Sequence, residues 1–259
     1  MGERSEHPPG TFSWTDLATT DQDAAKVFYT SLFGWETDDM PVGDGSVYSM
    51  MKKEGREVAA ISLQQQEQRA MGVPPAWNHY VTVESADAAA ARAAALGATV
   101  HAPAFDVLDA GRMAVIQDPQ GAFFMAWEPR RHIGAGLVNA TGALVWNELS
   151  SPDLEASTSF YSDLFGWDIE PFEASPTPYL FIKNGDANNG GIRELDQPGV
   201  PPHWLAYFGI DDIDAGLAKV TELGGTVHAG PIDVGMAKLG IVQDPQGAAF
   251  ALYDGELER

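Results

Sequence analysis

Apolar and polar residues alternate along "TFSWTDLAT" (11–19), the period of a strand whose two faces meet different surroundings. Asp21 follows as a helix N-cap. Ala24, Val27, Phe28 and Leu32 recur on one helical face until Gly34 stops the helix. Strand-like runs come next in "VYSMMKK" and "EVAAISLQ". The two lysines closing the first of these suit an edge strand, where charge discourages pairing with another chain. "NHYVTVES" restarts the pattern. The alanine-rich "ADAAAARAAAL" predicts a second helix stopped by Gly97, and "TVHAPAF", "MAVIQD" and "AFFMAWE" read as three more strands. Asp-Pro-Gln-Gly supplies a turn between the last two.

The whole pattern then repeats. "VFYTSLFGW" (27–35) returns as "SFYSDLFGW" (159–167), a spacing of 160 − 28 = 132 between the phenylalanines. The same spacing pairs Trp14 with Trp146, Asp16 with Glu148 and Asp21 with Asp153. "TVHAPAFDV" (99–107) matches "TVHAGPIDV" (226–234), and "IQDPQGAFF" (116–124) matches "VQDPQGAAF" (242–250). One unit has been duplicated. The expected organisation is a disordered tail over 1–9, a first domain over 10–130, a linker over 131–140 and a second domain over 141–256. The linker lies within a stretch whose glycines and charges suit a connection.

Composition removes several classes of function. The chain has no cysteine, so disulfides, thiolate nucleophiles and cysteine metal sites are out. The net charge of -22, from 37 acidic and 15 basic residues, repels phosphate backbones and anionic lipid, so neither a nucleic acid nor a membrane is an expected partner. The polar, proline-bearing "MGERSEHPPG" start has no apolar core of a secretory signal, and no apolar run approaches the ~20 residues of a membrane helix. The expected location is cytoplasmic.

The order β-α-β-β-β, met twice in each half, resembles the vicinal oxygen chelate superfamily, as do the "D…FY..LFGW" helix and the "DPQG" turn. That superfamily includes glyoxalase I, extradiol dioxygenases and bleomycin-resistance proteins. The resemblance runs from about Gly10 to about Asp254. Strand one with "W-x-[D/E]-L", and "DV…GR" ahead of "DPQG", are similar to a two-domain actinobacterial branch holding the mycobacterial 27 kDa antigen type and proteins labelled hydroxylase. The fold it implies is α+β, with four βαβββ modules forming two tandem glyoxalase-like cup domains. Four modules in one chain remove the usual need to pair, so a monomer is expected, with a homodimer as the alternative.

Metal-using members of that superfamily place His, Gln or Glu ligands at four strand positions inside the cup. Carried over, these fall on Trp14 and Trp146, on Ala59 or Ala60 and Gly190 or Gly191, on Asn78 and Leu205, and on Met125 and Ala251. None is a good ligand, so neither a metal nor another cofactor is expected. His79 alternates with Asn78 and should lie behind the sheet; His101 and His228 should make structural polar contacts.

If Trp14 points into a cup, alternation turns Phe12 and Asp16 inward with it, and Leu144, Trp146 and Glu148 likewise. Asn78, Tyr80 and Met125 should line the first cup and Leu205, Tyr207 and Ala251 the second. Thr82, Phe123 and Trp127 face Gly209, Ala249 and Tyr253 across the repeat, mostly large against small. The second cup should therefore be the roomier. A lining of this kind suits a small hydrophobic or aromatic molecule. Three functions fit: sequestration of such a molecule without a metal, cofactor-independent catalysis with Asp16 or Glu148 as general base, or a scaffold whose cups fill themselves. In the last case the tryptophans are core and the carboxylates merely paired.

Overall fold

A computed structural model describes residues 2–43, 45–173, 175 and 177–257. The first half runs β1 (Phe12–Thr19), α1 (Gln22–Phe33), β2 (Glu36–Pro41), β3 (Val47–Lys53), β4 (Arg56–Leu63) and a short α2 (Gln66–Ala70). It continues through β5 (Ala76–Thr82), α3 (Ala86–Ala95), β6 (Thr99–Val107), β7 (Gly111–Gln117) and β8 (Phe123–Pro129). The second half repeats the order without a counterpart of α2. Its first module is β9 (Leu144–Ser151), α4 (Leu154–Phe165), β10 (Asp168–Pro171), β11 (Tyr179–Asn184) and β12 (Ala187–Glu194). Its second is β13 (His203–Gly209), α5 (Ile213–Glu222), β14 (Thr226–Asp233), β15 (Ala237–Gln243) and β16 (Ala249–Gly255). No helix among the described residues is long and apolar enough to cross a membrane.

Each half forms one eight-stranded sheet, ordered β2-β3-β4-β1-β5-β8-β7-β6 and β10-β11-β12-β9-β13-β16-β15-β14. The fold is α+β, four βαβββ modules in two tandem cup domains, as the resemblance implied. "VYSMMKK" is not an edge: β3 lies between β2 and β4, and the edge is β2, whose acidic "ETDDMP" carries no apolar alternation to mark it as a strand.

Local chemistry sets the helix ends. Asp21 and Asp153 accept the N–H of Ala24 and Ala156 at 3.0 and 2.9 Å, and Gly34 and Gly166 close their helices at φ 67 and 74°. That left-handed conformation favours glycine. The buried face of α1 is Ala25, Phe28, Tyr29, Leu32 and Phe33; Val27, expected there, is 65% exposed. The helix is turned so that Tyr29 rather than Val27 meets the core.

The two halves share their cores. One apolar cluster joins Phe28, Tyr29, Phe33, Trp35 and Trp77 of the first half to Phe208, Leu217 and Phe250 of the second. A second joins Phe12, Val81 and Phe124 to Phe160, Tyr161, Trp167 and Trp204. Polar bonds reinforce the exchange. Trp35 Nε1 donates to the Gly142 carbonyl at 2.6 Å, and Trp167 Nε1 to the Gly10 carbonyl at 2.7 Å. Burying an aromatic or large aliphatic side chain is worth roughly 1.5–3 kcal/mol, so parting the halves carries a heavy cost.

The expected disordered tail is instead bonded in place; Met1 lies outside the described residues. Glu3 bridges Leu137, Arg4 N–H donates to the Gly136 carbonyl, and buried His7 places Nε2 2.8 Å from the Ala135 carbonyl. Its polar composition concealed a backbone that pairs with the linker.

Candidate functional site

The cup faces are fixed by a bulge near the start of each first strand. In β1 the register slips between Phe12 and Trp14, which face Val81 and Tyr80; in β9, Leu144 and Trp146 face Phe208 and Tyr207. The extra residue, Ser13 or Val145, reverses the alternation before it. Phe12 and Leu144 therefore point into the shared cores and not into the cups. Trp14 and Asp16, and Trp146 and Glu148, do share their cup faces. Ala60 lines the first cup while Ala59 joins the shared core, and Gly191 lies beside Glu148 in the second.

In the first cup the predicted residues Trp14, Asp16, Asn78, Tyr80 and Met125 come together. Asp16 is buried and accepts from Asn78 Nδ2 at 2.7 Å and from the hydroxyls of Tyr48 and Tyr80 at 2.9 Å each. Trp14 Nε1 donates to the Tyr48 oxygen at 3.0 Å. Burial raises the Asp16 pKa, and the three donors pull it back. The linker closes this cup. The His132 ring stands edge-on to Trp14 with centroids 4.5 Å apart, Ala135 N–H donates to the Ser13 carbonyl, and Ala135 and Val138 join the cup's apolar cluster. Trp14 is left 3% exposed.

The second cup carries the same chain of groups with a different cover. Trp146 Nε1 donates to Tyr179 at 3.0 Å and Tyr207 donates to Glu148 at 2.9 Å, with the Tyr179 hydroxyl near enough to favour the ionised carboxylate. Burial raises the Glu148 pKa, against the two tyrosine hydroxyls and the positive charge of Arg193. Leu205 replaces Asn78 and Ala251 replaces Met125, so both swaps remove a polar or bulky group. The apolar cluster here consists of sheet residues alone: Leu205, Tyr207 and Ala251 are buried, while Val145, Trp146, Leu239, Ile241 and Tyr253 are partly buried. Trp146 is the one tryptophan of the seven that is not buried. Among the described residues, a hollow of about 330 Å³ along the β10–β11 connection has Tyr179 in its wall, and another of about 460 Å³ lies between α1 and β2.

The donor set does not fit a metal. Of Trp14, Ala60, Asn78 and Met125, only Asn78 and Met125 carry a donor atom, and the Asn78 amide is bonded to Asp16. Trp146, Gly191, Leu205 and Ala251 offer none. Among the described residues no three His, Asp or Glu side chains lie together as an ion would need. His79 sits behind the sheet, as alternation implied. Its Nδ1 donates to Asn147 Oδ1 at 2.8 Å in the contact between halves, and burial lowers its pKa to about 4. His101 and His228 each contact a glutamine, Gln117 and Gln243.

Sequence reasoning missed Tyr48, Tyr179, His132 and Arg193. The tyrosines had a signal: they recur at nearly the repeat spacing, one residue short because the second half lost a residue between α4 and β11. His132 had none, because a loop histidine says nothing about what it covers.

Comparison with known proteins agrees with this architecture. The profile of the Glyoxalase/Bleomycin resistance protein/Dioxygenase superfamily matches residues 11–125 and again 143–252. "Putative glyoxylase CFP32" of Mycobacterium tuberculosis (strain CDC 1551 / Oshkosh) is 47% identical over 255 residues, 97% of each chain. "Anthracycline biosynthesis protein DauV" of Streptomyces sp. (strain C5) is 32% identical over 261 residues, 95% of this chain and 94% of its own. Among solved structures, the Mn(II)-bound glyoxalase from Novosphingobium aromaticivorans has a TM-score of 0.67 at 17% identity, over 96% of this chain and 83% of its own. The 2,3-dioxygenase LapB from Pseudomonas sp. KL28 has 0.66 at 15% identity, over 97% and 95%. These two likenesses concern the fold.

Proposed function

The chain belongs to the Glyoxalase/Bleomycin resistance protein/Dioxygenase superfamily, and we propose that it binds a small aromatic molecule in its second cup without a metal ion. The observation that carries this reading is the contrast between Trp14 and Trp146. Both donate to a tyrosine that stands against a buried carboxylate. Trp14 is sealed under His132 and the linker, whereas Trp146 keeps solvent-accessible surface beside Phe181, with ring centroids 5.6 Å apart. A half-buried indole next to a second aromatic ring offers a flat ligand both a face and an edge. The first cup, filled by its own side chains, is structural, and Asp16 serves as the acceptor that holds Tyr48, Asn78 and Tyr80 in place.

A second reading makes the same cup catalytic. Glu148, its pKa raised by burial, is the candidate general base, and Tyr207 and Tyr179 orient its carboxyl. A relative named for anthracycline biosynthesis lends this reading a setting in aromatic chemistry. Glu148→Gln separates the two: under the catalytic reading it abolishes turnover and leaves affinity nearly intact, and under sequestration there is no turnover to lose.

Native mass spectrometry of the purified protein tests the binding reading. The expected result is an organic guest, retained or taken up from an added aromatic, that leaves on denaturation. A stoichiometric divalent ion required for that uptake would overturn the metal-free part.

A further inference from the structure

The two cups differ most sharply in one cross-strand row. In the second sheet Tyr179 pairs with Arg193, Arg193 with Ser150 and Ser150 with His203. The equivalent row in the first sheet is Tyr48, Ser62, Ala18 and Ala76, which carries no charge. This row lies two residues along from that of Glu148, Gly191 and Leu205, so it shares their face of the sheet. Gly191 identifies that face: a Cβ there would lie 2.1 Å from the Tyr179 hydroxyl, which crosses it toward Trp146.

We propose that the second cup selects aromatic acids, with Arg193 pairing the ligand's carboxylate while Trp146 and Phe181 hold its ring. This rests on the reading of that cup as a binding site and names the class of its ligand. The Arg193 side chain is 38% exposed, at the border between the cup and solvent. Its acidic partner there is Asp196, 3.4 Å away and 70% exposed, an arrangement that contributes little and is readily exchanged. Arg112, by contrast, is held between Asp87 and Asp106 at 2.7 and 2.9 Å. Arg193 also favours the ionised forms of Glu148, Tyr179 and Tyr207, so its charge reaches into the cup. A guanidinium meets a carboxylate through two parallel N–H bonds, which fixes orientation as well as sign. The need for such a cation is plain in a chain of net charge -22, which otherwise repels an anionic ligand.

The test is calorimetric titration at pH 7.5 with 2-naphthoate and with its neutral analogue 2-naphthamide, on the wild type, Arg193→Gln and Arg193→Lys. The proposal expects the acid to bind the wild type at least tenfold more tightly than the amide. Arg193→Gln should bring that ratio to about one, chiefly by weakening the acid at least tenfold, and Arg193→Lys should keep part of it. Equal affinities in the wild type, or a ratio that survives Arg193→Gln, overturn the acid selectivity alone. Failure of both probes to bind the wild type overturns the cup as an aromatic site and this inference with it.

Discussion

Tyr29 in α1 donates its phenolic proton to Asp244, 3.0 Å away in the other half of the chain. Tyr161 repays the bond to Asp118 at 2.8 Å. Each tyrosine oxygen also accepts an indole N–H, from Trp77 and from Trp204, at 3.1 and 3.0 Å. Each aspartate uses its second oxygen to hold three backbone N–H groups, those of the Gln and Gly of its own Asp-Pro-Gln-Gly turn and of the alanine that follows. The two repeated motifs are thus two sides of one clasp, used twice. Tyr29→Phe removes the donor to Asp244 and leaves the Trp77 N–H without an acceptor. It should lower stability by about 1–3 kcal/mol, read from the urea midpoint, without changing ligand affinity.

His79 should make stability fall in acid. Its folded pKa is about 4 against an ordinary 6.5, so below 6.5 the unfolded chain takes up a proton that the folded chain refuses. Stability is therefore lost as pH falls from 6.5 toward 4, by roughly 3 kcal/mol in full. Asp16 acts in the opposite sense. Its pKa is raised by burial, so the folded state holds a proton more readily and gains stability as pH falls through the carboxylate range. Thermal unfolding at pH 7 and pH 5 should show a smaller acid loss in His79→Gln than in the wild type. An equal loss in both would remove His79 from the account.

Gly191→Ala tests the geometry of the second cup. The new methyl would sit 2.1 Å from the Tyr179 hydroxyl, so the ring must move off Glu148 and release the Trp146 N–H. Overpacking of this kind costs about 1–3 kcal/mol. Tryptophan quenching by acrylamide should increase in the variant, since Trp146 is the indole already in contact with solvent.

Much of this was legible in the sequence, and the parts that were not share a cause. Duplication, the α1 and α4 caps at Asp21 and Asp153, and the glycine stops follow from local rules that need no partner. The cup positions of Trp14 and Trp146 followed from the superfamily resemblance, and alternation then brought Asp16 and Glu148 with them. Phe12 and Leu144 were misplaced because a bulge reverses alternation without altering composition. Val27 and Tyr29 lie on opposite sides of Phe28 around the helix, and only the other half of the chain decides which one is buried. The lid over Trp14 escaped notice for the same reason: Ala135, Val138 and His132 gain their meaning from what they cover.

The central claim is that one cup is open and takes an aromatic ligand without a metal. It is tested most directly by calorimetric titration of chelator-dialysed protein with 2-naphthoate, the wild type beside Trp146→Ala. The account predicts one site per chain, unchanged by adding a divalent ion back, and at least tenfold weaker in the variant. Two equivalent sites, binding that appears only with the ion, or affinity indifferent to Trp146 would contradict it.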